Sequence, residues 1–269
     1  MSEGERDLLE RASAWWETSI IDIRPNIIRP RGVPIQELIG TIGFAQMIWL
    51  MLRGSLPTPE QAALLEAGLV AAVDHGPHAP SIAIARMAMS CGVSLNGAMA
   101  SAINVLDDVH GGAGEQCLQL YQDALRRLAA GAGMQAAVTD ALDALQAASG
   151  PIVPGFGHRF HDTDPRALRL LELVDQAVAA GVVGGAVARV GRLVEAELQR
   201  RTGRHLPMNI DGATAVVYGE LGFEPALSRG IFILSRSVGI LAHAWEEKTQ
   251  GRRIKGPMPP EIPYRYSGA

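Results

Sequence analysis

Four short motifs bring proton-handling residues next to glycine. His75 lies in Asp74-His75-Gly76-Pro77-His78, and His110 in Asp107-Asp108-Val109-His110-Gly111-Gly112-Ala113-Gly114-Glu115. His158 lies in Pro154-Gly155-Phe156-Gly157-His158-Arg159, and a lone carboxylate, Asp211, in Asn209-Ile210-Asp211-Gly212. Glycine beside a histidine lets a ligand approach the backbone, and a nearby helix N-terminus keeps an imidazole neutral and able to donate a hydrogen bond. Two arginines join them, Arg166 in Asp164-Pro165-Arg166 at a helix start and Arg236 in Ser235-Arg236-Ser237-Val238-Gly239 inside an apolar helix. Neutral imidazoles, one carboxylate and several arginines suit proton abstraction beside a carbonyl on a multiply anionic substrate.

Each motif also has a plainer reading. His75 is then a helix-end histidine bonded to backbone, His110 and His158 sit in ordinary turns, and Asp211 is an N-cap. A buried Arg236 requires an anion, which an internal acid supplies as well as a substrate carboxylate does. His75 and His78 lack a third and fourth ligand, and the chain has no His-Glu-x-x-His and no cysteine pair, so no metal site is expected.

The positioning elements are helices. Of 269 residues 48% are hydrophobic and 5% aromatic, enough for one large core or two modest ones. Alanine- and leucine-rich segments predict helices at 8–18, 58–73, 80–91, 94–107, 113–130, 134–148, 165–180, 184–201, 211–220 and 226–247. Thr58-Pro59-Glu60-Gln61 has the form of an N-cap followed by proline and acid. Strand signals are scarce and occur mainly around 20–28, where Pro25 interrupts them. The most apolar stretch, 38–52, is too short to span a bilayer and reads as a buried helix. Glycine and proline cluster in joints between helices, and most joints carry or adjoin histidine, arginine or aspartate. The Ala/Gly-rich 179–190 follows no strand and reads as close helix packing rather than a dinucleotide loop.

Charge excludes other classes. The net charge is −4 without a basic stripe, which argues against a nucleic-acid partner. Cys91 and Cys117 supply neither a disulfide framework nor a zinc spacing, and the acidic N-terminus is unlike a secretory leader. A cytoplasmic protein without a membrane segment is the expectation.

Taken together, the motifs resemble the citrate synthase superfamily over nearly the whole chain. Arg31-Gly32-Val33-Pro34-Ile35-Gln36-Glu37-Leu38, the apolar helix from Phe44 and Leu56-Pro57-Thr58 are similar to the early part of those enzymes. The resemblance implies an all-α fold with a large domain (1–113 and 223–269) and a small one (114–222), assembled as a homodimer. It implies that His110 polarises the thioester carbonyl, that His158 faces the carbonyl or hydroxyl of the four-carbon partner, and that Asp211 exchanges the proton. His75, Arg166 and Arg236 would hold the four-carbon acid, and the loop of Pro154, Gly155, Phe156 and Gly157 would receive the CoA adenine. CoA thioester and oxo acid are then substrates, with no further cofactor.

Asp74-His75-Gly76-Pro77, the short N-terminus and Ser235-Arg236-Ser237 followed by His243 look like citryl-CoA lyases and the C-terminal module of ATP-citrate lyase. That module lacks a histidine at the His110 position, so this chain keeps the synthase-like triad. Its tail carries Gly256-Pro257 where the family shows arginine-proline, leaving Arg252, Arg253 and Arg265 as candidates for the inter-subunit arginine. The implied reaction is cleavage of citryl-CoA or a related 3-hydroxy-3-carboxyacyl-CoA. The alternatives are the reverse condensation with oxaloacetate or another 2-oxo acid, or an idle thioester-binding protein.

Overall fold

The structure is a computed structural model describing residues 2–157 and 162–268. Among the described residues twelve α-helices and one two-stranded hairpin make an all-α fold. Chain contacts divide it into two compact units, Met1–Ala63 and Leu64–Ala269.

In the first unit, α1 (Glu3–Trp15) starts at a reciprocal cap between Ser2 and Glu5, each backbone N–H bonded to the other's side chain. The strands β1 (Ile21–Arg24) and β2 (Ile27–Pro30) pair antiparallel in the register Ile21↔Pro30. Pro25 therefore sits in the hairpin turn, where it removes no ladder hydrogen bond. The helix expected over 38–52 is two pieces, α2 (Ile35–Leu38) and α3 (Phe44–Arg53). Gly40 lies between them at φ +78°, a conformation that cannot continue a helix. The Arg31 guanidinium reaches back to cap α3, donating to Met51 O from Nε at 3.0 Å and Nη2 at 2.6 Å. Helix α4 (Pro59–Ala71) begins with the expected cap, Gln61 N bonding Thr58 Oγ1 and Thr58 N bonding Gln61 Oε1.

The second unit contains α5 (Pro80–Ser90), α6 (Leu95–Ile103), α7 (Ala113–Ala129), α8 (Met134–Ser149), α9 (Pro165–Ala179), α10 (Ala186–Thr202), α11 (Ile210–Glu220) and α12 (Pro225–Gln250). Small side chains let α5, α6 and α12 pack closely around Ile82, Ala85, Ala98, Ala102, Ile240 and Ala244. Helix α11 is buried over Gly212–Tyr218 and packs on α7, α9, α10 and α12. Helix α12 has the length and composition of a membrane span, with 33% of its most apolar window buried. It packs on α5, α6 and α7 and runs the length of the site.

Away from the site, Glu197 of α10 is only 2% exposed and is bonded by Arg200 Nε and Arg201 Nε, each at 2.8 Å. Hydrogen bonding from Arg200 lowers its pKa to about 2; burial opposes this and Arg201 adds to it.

Candidate active site

Of the six sequence-predicted chemical residues, the five inside the described range line one cavity of about 140 Å³: His75, His110, Arg166, Asp211 and Arg236, with Phe232 beside them. The sixth position of that set, His158, lies outside the described residues.

His110 ends a turn closed by a bond from Asp107 N to His110 O at 2.9 Å. Its Nε2 accepts from the backbone N–H of Ser81 at 3.2 Å and lies 3.0 Å from Ser81 Oγ. Ser81 is in the first turn of α5, where that N–H has no intrahelical acceptor. A backbone N–H can only donate, so Nε2 is unprotonated and the ring proton sits on Nδ1. Burial lowers the pKa, and the nearby Arg236 charge lowers it further. The imidazole is thus neutral and equipped to donate from Nδ1. The helix N-terminus responsible belongs to α5 rather than to the helix that follows His110 in sequence.

Asp211 is not the N-cap of α11. Asn209 is: its Oδ1 accepts from Asp211 N at 2.9 Å and Gly212 N at 3.3 Å. That leaves the Asp211 carboxylate to the cavity, and among the described residues no hydrogen bond reaches it. Burial raises its pKa; Arg236 and Arg166 pull it down without reversing the sign, and Asp164 pushes it up. A carboxyl shifted upward in this way holds a proton more readily than an exposed one, as a group that both takes and returns protons requires.

Asp164 is a positioning residue the sequence reading passed over. It is 1% exposed, caps α9 through Arg166 N at 3.0 Å, binds Arg166 Nη2 at 2.8 Å, and accepts Ile210 N at 3.2 Å. One carboxylate therefore fixes Arg166 and ties the start of α9 to the start of α11. Its Asp-Pro-Arg context marked a helix start, but nothing local revealed the bond to Ile210.

Arg236 is 6% exposed, donates Nε–H to Ala72 O at 3.0 Å and stacks 5.0 Å from the Phe232 ring centre. Among the described residues no carboxylate lies within ion-pair distance of it. The internal ion pair considered from the sequence is absent there, and the cation faces the cavity. Burial lowers its pKa, while Asp74 and Asp211 counter that from a distance.

The predicted CoA loop is held against the start of α11. Asn209 N donates to Gly155 O at 2.9 Å, Asn209 Nδ2 to Gly157 O at 2.7 Å, and Gly157 N to Pro207 O at 2.8 Å. Gly155 has φ +85°, and a Cβ there would come within 2.5 Å of Cys117 Sγ and 2.9 Å of Gly212 Cα. Only glycine allows loop and helix backbones to meet in this way. Phe156 packs edge-on to Tyr121 with ring centres 6.4 Å apart, and both Phe156 and Pro154 stay half-buried.

Helix α12 addresses the site at seven-residue intervals. Arg229 binds Asp107 at 2.7 Å and Asp108 at 2.5 Å, with Glu115 in contact, and so clamps both sides of the His110 turn. Seven residues on, Arg236 enters the cavity; seven further, His243 Nε2 binds Asp74 Oδ2 at 3.2 Å beside His75. Seven residues is close to two full turns, so the three side chains leave α12 on one face about 10.5 Å apart.

Residues 58–257 match the family model described as citrate synthase, C-terminal domain. The chain belongs to the citrate synthase family. A solved structure of citryl-CoA lyase from Hydrogenobacter thermophilus aligns at TM-score 0.82 with 32% identity, covering 94% of this chain and 95% of that one. ATP citrate lyase from Methanothrix soehngenii shares the fold at TM-score 0.78 with 20% identity, over all of this chain and 45% of its own. Among curated sequences, citrate synthase from Heyndrickxia coagulans is 30% identical over 81% of this chain and 55% of its own length. The chain spans about half the length of the first curated relatives it matches.

Proposed function

We propose that this member of the citrate synthase family cleaves citryl-CoA, or a related 3-hydroxy-3-carboxyacyl-CoA, to acetyl-CoA and oxaloacetate. The observation that carries the reading is the Arg236 cation, without an acid in ion-pair reach among the described residues, in one cavity with a neutral His110 and a carboxyl, Asp211, whose pKa burial raises. Together these groups provide for a substrate carboxylate, an enol oxygen and a carbon that must gain a proton.

In the proposed cleavage His158 takes the proton of the tertiary hydroxyl. The carbon–carbon bond then breaks to leave oxaloacetate and an acetyl-CoA enolate, whose oxygen receives the His110 Nδ1 hydrogen bond. Asp211 delivers its proton to the terminal carbon. Arg166, Arg236 and His75 hold the carboxylates, and the 154–157 loop receives the CoA adenine. No cofactor enters beyond the thioester. The domains 1–113 with 223–269 and 114–222, a cytoplasmic location and a homodimer complete the proposal. For the homodimer, support comes from exposed Leu234, Val238, Leu241 and Trp245, which recur on one face of α12.

The likeness to the lyase from Hydrogenobacter, at TM-score 0.82 and 32% identity, supports the cleavage direction. The second reading, condensation followed by hydrolysis, is favoured by the naming of the curated relatives as citrate synthases. Supplying citryl-CoA, and separately acetyl-CoA with oxaloacetate, separates the two. Oxaloacetate from the first without free thiol marks the lyase, whereas free CoA from the second pair marks a synthase. Binding without turnover in either assay would mark an idle thioester-binding protein.

A further inference from the structure

We infer that His243 is a positioning residue which, through Asp74, sets the His75 turn for the four-carbon acid; the inference rests on the proposed function. The Asp74 carboxylate is held from two directions. Its Oδ2 accepts from Gly76 N and from His243 Nε2, each at 3.2 Å. His75 lines the cavity with Arg236. The turn that presents it is therefore organised by one carboxylate, and that carboxylate is anchored on α12.

The anchor has a fixed polarity. His243 Nδ1 faces Arg86 Nη1 at 3.1 Å. A guanidinium can only donate, so Nδ1 accepts and Nε2–H donates to Asp74. Arg86 is itself 7% exposed and compensated by Glu246, by Glu247 at 2.7 Å and by Gln250 at 3.1 Å. The series from Glu246 and Glu247 through Arg86 and His243 to Asp74 thus alternates acceptor and donor groups and ends at the site. Gly239, one turn before His243, makes the approach possible: a Cβ there would lie 2.2 Å from Val73 O and 3.2 Å from Asp74 Cβ.

Two isomer-like variants separate positioning from packing. His243→Gln places an amide N–H where Nε2 points at Asp74, whereas His243→Asn retains only the acceptor toward Arg86. Using the full-length protein and oxaloacetate as probe, calorimetric Kd and KM for oxaloacetate should rise about 10- to 100-fold in His243→Asn and only a few-fold in His243→Gln, with smaller effects on kcat. Their Tm values should be alike. Asp74→Ala, which leaves the Arg86–His243 bond in place, should reproduce the Asn phenotype and serves if that variant does not fold. Equal oxaloacetate affinity in the Gln and Asn variants, or wild-type affinity in Asp74→Ala, overturns the inference. A wild-type protein that neither binds nor forms oxaloacetate overturns the proposed function instead.

Discussion

Two helices each bury a charge, and the two are treated oppositely. Glu197 of α10, 2% exposed, is matched by Arg200 and Arg201, with Gln135 Nε2 3.3 Å away. Arg236 of α12, 6% exposed, has a carbonyl and an aromatic face, and among the described residues no acid in ion-pair reach. A neutralised buried charge holds helices together. One left without its counter-charge costs stability in the empty protein and gains a partner only when an anion arrives. The contrast distinguishes a structural charge from a binding one without reference to any relative.

The contrast can be broken by mutation. Asp211→Asn should reduce turnover about 10²- to 10⁴-fold while raising Tm, because the carboxyl's raised pKa makes its ionised form a cost to the fold. Unchanged turnover would remove Asp211 from the chemistry. Arg236→Met should weaken oxaloacetate binding by about 2–5 kcal/mol, read by calorimetry, with a Tm at or above wild type. A large fall in Tm with affinity intact would make Arg236 structural after all. Glu197→Gln should do the reverse, lowering stability by about 1.5–3 kcal/mol in denaturant unfolding and sparing KM and kcat.

The smallest effect is in pH dependence, and its sign differs between the two carboxyls. Glu197 has its folded pKa depressed from 4.5 to about 2, so its contribution is complete above 4.5 and is lost as pH falls through that window. Asp211 is shifted upward from 3.8, so its penalty grows as pH rises and the Tm gain of Asp211→Asn should vanish under acid conditions. Thermal scans of both variants against pH test the two slopes.

Local chemistry was readable where its cause is local. Proline and its capping neighbours gave the starts of α4, α5 and α9 closely, since Thr58, Pro80 and Asp164-Pro165 act within one turn. The motifs around His75, His110, Arg166, Asp211 and Arg236 were visible in the sequence, and the fold brings all five to one cavity. What escaped depends on separations that sequence spacing does not encode. Ser81 neutralises His110 from 29 residues away, and Asp164 reaches Ile210 across 46. Asn209 displaced Asp211 from the cap by two positions, a choice made by the loop carbonyls of Gly155 and Gly157 that Asn209 also binds. The break between α2 and α3 was masked by continuous hydrophobicity, although Gly40 and Gly43 marked it.

The seven-residue spacing of Arg229, Arg236 and His243 makes α12 intolerant of changes in length. Inserting or deleting one residue near Gly239 would rotate everything beyond it by about 100°. Arg229 and Arg236 would keep their partners while His243 turned away from Asp74. The His110 half and the His75 half of the site would then fall out of phase, though no residue touching substrate had been replaced. Length variation in this chain should therefore accumulate in its joints, and α12 should keep its length between Arg229 and His243, because even a whole heptad, which preserves the face, would carry His243 about 10.5 Å along the axis.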